Sequence, residues 1–182
     1  MRPRPPRPSV ACSPSTRAVS LLLLLLTLWV RAAWLQRYPV DPVEPVDAEG
    51  YHLIAVNVLA GRGFAIGWDP PFCPTAVRTP LYPAFLMLAY RVLGQEPYRA
   101  VLLQLLLELL TAALVLRIAR DLRPADAHVQ LLAGLLYALN GTTQRYTAYL
   151  LAEALLLPTL TAALLLTLRC LRRPSAQRWP TC

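Results

Sequence analysis

Residues 47–82 form the one long stretch of the chain that is rich in polar groups and turn residues. Its side chains with chemical potential are Asp47, Tyr51, His52, Arg62, Arg78 and Tyr82. A carboxylate can take a proton from a hydroxyl group, and a guanidinium binds phosphate through its planar fork. Hydrophobic runs flank the stretch on both sides. We therefore predict a loop beside a membrane bundle that carries the chemistry of the protein.

A second carboxylate, Glu153, lies at the start of a later apolar run. An acid at the centre of a membrane span costs about 2.5–3.5 kcal/mol, and a position near the end of the span lowers that penalty. A structural role beside a polar partner stays open for Glu153. For Asp47 the alternative is a helix N-cap, which stabilises a helix by about 0.5–2 kcal/mol. His52 is typical of a surface histidine, and Arg62 and Arg78 are also typical of interfacial anchors.

The composition indicates an integral membrane protein. Hydrophobic residues make up 56% of the chain and charged residues 15%, whereas soluble domains have about 45–50% and about 25%. The net charge of +8 comes from 18 basic residues, all of them arginine. These arginines cluster at the ends of apolar runs, as the positive-inside rule requires. That distribution argues against nucleic-acid binding.

The apolar runs predict an all-α integral membrane fold with about four transmembrane helices. The predicted spans are residues 18–36, 98–119, 129–146 and 149–168. With these spans, the positive-inside rule places the arginines of the N-terminal tail, of 117–123 and of 169–173 together on the cytoplasmic side. The N-terminus is then cytoplasmic in a multi-pass protein of the plasma membrane, and residues 37–96 form a structured outer loop.

The outer loop is predicted to contain two short helices. The first is amphipathic, begins at Asp47 as its N-cap and ends before Gly61. The second, residues 81–94, is too short for a span of about 20 residues, so we expect a juxtamembrane or re-entrant helix. The basic segment 1–17 is predicted to be a disordered cytoplasmic tail. The end of the chain, 171–182, is predicted to be a second cytoplasmic tail that results from truncation or a frameshift.

Polar residues inside the apolar runs predict contacts between helices. Glu108 and Gln104 lie one turn apart on the same face of the second span, where we expect helix–helix hydrogen bonds away from the outer loop. Arg31 follows the first run and is expected to snorkel to the interface. Cys73 lies alone on the outer side in this topology, so we expect no intramolecular disulfide for it.

The order of these motifs resembles the N-terminal part of the bacterial GT-C glycosyltransferases. The residues that carry the resemblance are Asp47, Ala48, Tyr51, His52, Ile54, Ala55, Asn57, Leu59, Gly61, Arg62, Gly63, Phe64, Arg78, Pro80, Leu81, Tyr82, Pro83, Phe85, Leu86, Ala152, Glu153 and Leu155. The most similar members are the protein O-mannosyltransferases and the lipid A aminoarabinose transferase, which are like glycosyltransferase family 39. The resemblance covers residues 18–170 but only the front part of the family.

The resemblance implies transfer of a sugar from a polyprenyl-phosphate donor to a lipid, glycan or protein acceptor on the outer membrane face. Asp47 matches the essential acid of the first outer loop, and Glu153 matches the acid of the second. The substrate-binding residues expected on this basis are Tyr51, His52, Arg62, Arg78 and Tyr82. No cofactor is fixed by the resemblance, and a divalent metal remains an open alternative.

Two other functions are compatible with the sequence. The first is a non-catalytic membrane protein, either a truncated glycosyltransferase remnant or an assembly partner of other spans. The second is a transporter fragment in which Glu108 and Glu153 line an ion pathway. The first predicts tolerance of substitutions at Asp47 and Glu153, and the second predicts that Glu108 is the sensitive position.

Overall fold

A computed structural model describes residues 14–124 and 126–172, and these residues form seven helices and one short hairpin. The helices are α1 (Pro14–Arg37), α2 (Val46–Leu59), α3 (Leu81–Leu93), α4 (Pro97–Leu122), α5 (Ala127–Ala138), α6 (Gly141–Ala148) and α7 (Glu153–Arg172). The antiparallel strands are β1 (Ala65–Ile66) and β2 (Cys73–Pro74). The predicted all-helical fold is confirmed, and both short helices predicted in segment 37–96 are present.

Three helices are long and apolar enough to cross a membrane, judged by length and composition. They are residues 17–37 of α1, all of α4 and all of α7. The shorter apolar helices α3 and α5 fall below the length of about 20 residues that a span requires. The composition and these three helices together indicate a membrane-associated protein.

The predicted span at 129–146 is wrong as a single helix, because α5 ends at Ala138 and α6 begins at Gly141. The break has a local cause. The side chain of Asn140 accepts a hydrogen bond of 3.0 Å from the backbone N–H of Thr143, so it caps a new helix. The leucine-rich run before Asn140 hid this start signal.

Other boundaries also differ from the sequence prediction. The first helix begins at Pro14, inside the predicted tail, since a proline is tolerated in the first turn where its missing N–H has no partner to lose. The last helix begins at Glu153 and not at Tyr149, and it continues to Arg172. The rest of both predicted tails, 1–13 and 173–182, lies outside the described residues.

Helices α4 and α7 run in the same direction, and α1 runs opposite to α4. At one end of the bundle, the Arg169 side chain of α7 donates a hydrogen bond of 2.8 Å to Asp121 near the end of α4. Further along, Gly134 of α5 packs closely against Leu23 of α1 and Leu116 of α4. The arginine-rich ends of α4 and α7 therefore lie together. At the opposite end, segment 38–96 covers the bundle.

The predicted snorkelling of Arg31 is wrong, because its side chain is buried inside the bundle. Its guanidinium lies 3.3 Å from the Glu108 carboxylate and donates a bond of 2.9 Å to the carbonyl of Ala138. The hydroxyl of Tyr137 donates to the same carboxylate at 2.8 Å. The expected helix–helix bonding of Glu108 is confirmed. Arg31 is buried because the break after α5 leaves terminal carbonyls without helical partners, and the Arg31 guanidinium donates to them.

Candidate functional site

Asp47 lies in the first turn of α2, but it is not the N-cap. Pro45 occupies the capping position, and no side chain caps the helix there. The Asp47 carboxylate instead approaches Arg78, with Oδ1 2.5 Å from Nη2. The predicted capping role is therefore corrected to an ion pair between the start of α2 and the segment that precedes α3.

Arg78 lies over two residues of α2. Its guanidinium carbon is 5.6 Å from the centre of the Tyr51 ring, a geometry that attracts a cation to an aromatic face. A Cβ atom at Gly50 would come within 3.2 Å of Nε, so the glycine makes room for this arrangement. The Arg78 side chain is 21% exposed and that of Asp47 is 61% exposed. The carboxylate therefore remains open to solvent beside a partly buried cation.

Tyr51 and Tyr82 join α2 to α3 beneath this ion pair. Their rings meet edge to face with centroids 4.9 Å apart, within the range that favours aromatic pairs. Burial raises the pKa of both hydroxyl groups, most strongly for Tyr82. The Tyr82 hydroxyl donates to Oε1 of Gln104 in α4. A phenol group of α3 is thus fixed on α4.

Glu153 is the first residue of α7 and lies near the same tyrosines. Its charge contributes to the raised pKa of Tyr51 and of Tyr82. The residues that follow Asp47 and Glu153 in sequence, Ala48 and Ala154, are both buried in one hydrophobic cluster. The starts of α2 and α7 therefore pack into the same hydrophobic cluster at this end of the bundle. We name Asp47, Tyr51, Arg78, Tyr82 and Glu153 the acid–arginine cluster.

His52 faces away from the cluster and is buried, so the expectation of a surface histidine is wrong. Its Nδ1 lies 2.8 Å from the hydroxyl of Tyr90, and its ring contacts that of Trp68 at a centroid distance of 5.8 Å. Burial lowers the pKa of His52, against the opposite effect of nearby carboxylates. The structure gives this side chain a packing role between α2, α3 and the hairpin.

Arg62, like His52, makes its contacts in the surrounding loop. It donates a bond of 3.3 Å to Oδ1 of Asn57, and its guanidinium carbon lies 4.6 Å from the centre of the Phe72 ring. The amide nitrogen of Asn57 donates to the carbonyls of Ala65 and Gly67, which fixes the hairpin to α2. The structure thus brings five of the seven predicted site residues together, while His52 and Arg62 hold the surrounding loop.

The acid–arginine cluster contains two carboxylates and no third metal-ligating side chain. Across residues 14–124 and 126–172, no group of three or more His, Cys, Asp or Glu side chains could hold a metal ion. Asp47 and Glu153 are the oxygen donors in the cluster that suit a hard divalent cation.

Sequence reasoning missed the part that Gln104 plays in this site. Its helix–helix hydrogen bonding was expected and is confirmed, since its Nε2 donates to the carbonyls of Thr147 and Tyr149. Its position away from the outer loop was wrong, because it also accepts from Tyr82. The one available signal was a glutamine in a leucine-rich run, and that signal does not name the partner.

No family model, curated protein or solved structure matches the chain. The resemblance to the GT-C glycosyltransferases therefore rests on the motif residues alone. The acid–arginine cluster is interpreted below from its own geometry and chemistry.

Proposed function

We propose that this protein is a membrane glycosyltransferase that moves a sugar from a polyprenyl-phosphate-linked donor to an acceptor on the outer face of the plasma membrane. The observation that supports it most is the contact of 2.5 Å between Asp47 and Arg78. This contact puts a solvent-open carboxylate beside a group that binds phosphate. A glycosyl transfer with a phosphate leaving group needs both at one place.

In the proposed reaction, Asp47 takes the proton of the acceptor hydroxyl as general base. The acceptor oxygen bonds to the anomeric carbon of the sugar. The bond between that carbon and the phosphate oxygen breaks, and the polyprenyl phosphate leaves with the electron pair. Arg78 stabilises the negative charge that develops on the leaving phosphate. Glu153 positions the acceptor, or a divalent metal where one is used.

The residues proposed to touch substrate are a subset of those predicted from sequence. Tyr51 is partly exposed, and its ring lies against Arg78, where a sugar or phosphate would bind. Tyr82 is buried, so it supports Tyr51 and does not bind substrate itself. His52 and Arg62 are assigned to the loop scaffold for the contacts described above.

The proposed topology has four crossings with the N-terminus in the cytoplasm. Helices α5 and α6 together form one crossing in two pieces, since Gly134 of α5 packs between α1 and α4 and Thr147 of α6 contacts Gln104. A broken crossing is tolerated where neighbouring side chains satisfy the freed backbone groups. Arg31 and Asn140 do so here.

The test of this function measures the transfer of a labelled sugar. Membrane vesicles containing the full chain are incubated with radiolabelled polyprenyl-phosphate mannose, glucose or aminoarabinose, and the label in lipid donor and in acceptor fractions is measured over time. The proposal predicts that at least one donor loses its label to an acceptor. Retention of the label in all three donors, at the rate of vesicles without the protein, would contradict it.

A non-catalytic membrane protein is the second candidate, and one observation favours it. Arg78 and Asp47 already neutralise each other without substrate, as in a structural ion pair between loop segments. This candidate predicts no transfer in the same assay. It also predicts that charge-neutral substitutions at both positions leave partner binding and membrane insertion intact.

A further inference from the structure

The side-chain amide of Gln104 in α4 forms hydrogen bonds inside the protein through both its oxygen and its nitrogen. Its side chain is fully buried. Oε1 accepts the hydroxyl of Tyr82, while Nε2 donates at 3.0 Å to the carbonyl of Thr147 and at 2.9 Å to that of Tyr149. A glutamine amide offers two donors and one carbonyl acceptor. The side chain therefore satisfies a phenol from α3 and two carbonyls from the end of α6 at once.

The two carbonyls lie at the end of α6 and at the start of the junction between α6 and α7, residues 149–152. The backbone N–H of Leu150 in this junction donates to the carbonyl of Pro42 at 2.9 Å, and that of Leu151 donates to Tyr149 at 2.9 Å. Glu153 follows directly as the first residue of α7. The backbone that presents Glu153 is thus held by Gln104 on one side and by the segment before α2 on the other.

The carbonyl oxygen of the Gln104 amide is connected to Asp47 through a series of contacts. Tyr82 supports the ring of Tyr51, which lies under the guanidinium of Arg78, and Arg78 contacts the Asp47 carboxylate. Each step is a direct contact. Gln104 therefore connects two series of contacts, one that begins at Asp47 and one that ends at Glu153.

We propose that Gln104 is a positioning residue that fixes the Asp47 half of the acid–arginine cluster relative to the Glu153 half. Its meaning for catalysis rests on the proposed function, but the geometric role does not. The residue type is specific. A leucine would remove the Gln104 bonds to the Thr147 carbonyl and the Tyr82 phenol and one of the two donors to the Tyr149 carbonyl, and a glutamate would have no N–H to donate.

A distance measurement tests the geometric role without any substrate. Nitroxide labels are placed on cysteines at Leu88 of α3 and Arg145 of α6, both exposed, in a full chain whose native cysteines are replaced by serine. Electron–electron double resonance gives the distribution of distances between the labels. Gln104→Leu removes all three bonds, whereas Tyr82→Phe removes one hydroxyl and keeps the ring. Gln95→Leu, at an exposed position between α3 and α4, is the control.

The expected result is one narrow distance distribution for the parent and for Gln95→Leu, and a broadened or shifted one for Tyr82→Phe and Gln104→Leu. Tyr82→Phe keeps the proposal testable if Gln104→Leu fails to fold. Unchanged distributions in every folded variant would overturn the positioning role.

A kinetic measurement then separates this role from the proposed function. In the transfer assay, Tyr82→Phe should lower kcat roughly 10- to 100-fold through displaced catalytic groups, with a smaller change in the KM for donor because the Arg78 guanidinium is retained. Arg78→Lys should instead raise KM. Broadened distances together with no transfer by the parent protein would refute the function and keep the positioning role. Transfer by the parent protein with equal kcat in Tyr82→Phe would refute the positioning role alone.

Discussion

The guanidinium of Arg31 and the carboxylate of Glu108 meet inside the helix bundle at 3.3 Å, and their side chains are only 1% and 3% exposed. The pair links α1 to α4, and the same guanidinium reaches Thr143 of α6 at 2.5 Å. With the bond to the Ala138 carbonyl of α5, four helices meet at one buried cation. The contact joins α1 and α4 to the two helices that flank the break at Asn140.

Arg31→Met is expected to destabilise the protein by about 3–5 kcal/mol, since removing one partner of a buried ion pair leaves the other charge without compensation. The measurement is unfolding in mixed detergent micelles followed by circular dichroism. The double variant Arg31→Met/Glu108→Leu should recover much of the lost free energy because it removes both charges. Equal stability of Arg31→Met and the parent protein would contradict the buried pair.

Gly134→Leu is expected to destabilise the bundle by about 1–3 kcal/mol, the usual cost of overpacking. Even a Cβ atom at Gly134 would lie 2.6 Å from Cδ1 of Leu23 and 3.1 Å from Cδ2 of Leu116. Close approach at small residues is a common basis of helix packing in membranes. Gly141→Leu is the matched control, because a Cβ atom there meets nothing within 4 Å. Similar losses in both variants would refute the close packing at Gly134.

Stability should decrease on acidification, with a contribution from His52. Burial lowers the pKa of His52 below its ordinary value of 6.5. Between that value and the lower folded pKa, the unfolded chain binds more protons, so the free energy of unfolding falls as the pH falls. Above about pH 6.5 the imidazole is neutral in both states and His52 has no effect on the free energy of unfolding; the loss begins as the pH falls below that value. Thermal unfolding in detergent across this interval measures it.

The comparison variant for this pH dependence is His52→Gln, which keeps a polar group opposite Tyr90 but does not titrate. Its unfolding temperature should change less between pH 7.5 and pH 5 than that of the parent, because only carboxylates then contribute. Parallel pH profiles for the two proteins would show that His52 is not held neutral by burial.

The two described cysteines report the proposed topology. Cys73 of the outer hairpin and Cys170 near the end of α7 are both exposed free thiols. In single-cysteine variants, a membrane-impermeant maleimide applied to intact cells should label Cys73. Labelling of Cys170 should require permeabilisation. Equal labelling of both in intact cells, or the reverse order, would refute the four-crossing arrangement.

Much of the fold could be predicted because its signals are local. The apolar runs of α1, α4 and α7 and the short length of α3 follow from composition and from the thickness of a bilayer. The break at Asn140 could not be found this way, since one capping side chain is a weak signal beside many leucines. The burial of Arg31 depends on Glu108, which lies 77 residues away in sequence, and no local pattern encodes that pairing.

The candidate site was predictable in part for the same reason. Asp47, Arg78 and Glu153 were selected by residue type and motif order, and the structure brings them to one end of the bundle. His52 and Arg62 belong to the same motif but lie near the hairpin, because α2 directs the side chains of Tyr51 and His52 to different sides and Arg62 follows the end of the helix. Which side each residue faces depends on the packing of α2 against α3, which the motif does not encode.

The most direct test of the account is the rate of sugar transfer by Asp47→Asn relative to Glu49→Gln. Both substitutions remove one negative charge from the first turn of α2, but Glu49 accepts from the Trp68 indole and lies outside the acid–arginine cluster. The account predicts that Asp47→Asn lowers the transfer rate by at least about 100-fold, the lower range for a general base. Glu49→Gln should keep the parent rate, with membrane insertion and helix content unchanged in both. Equal transfer by Asp47→Asn and the parent protein would contradict the central claim.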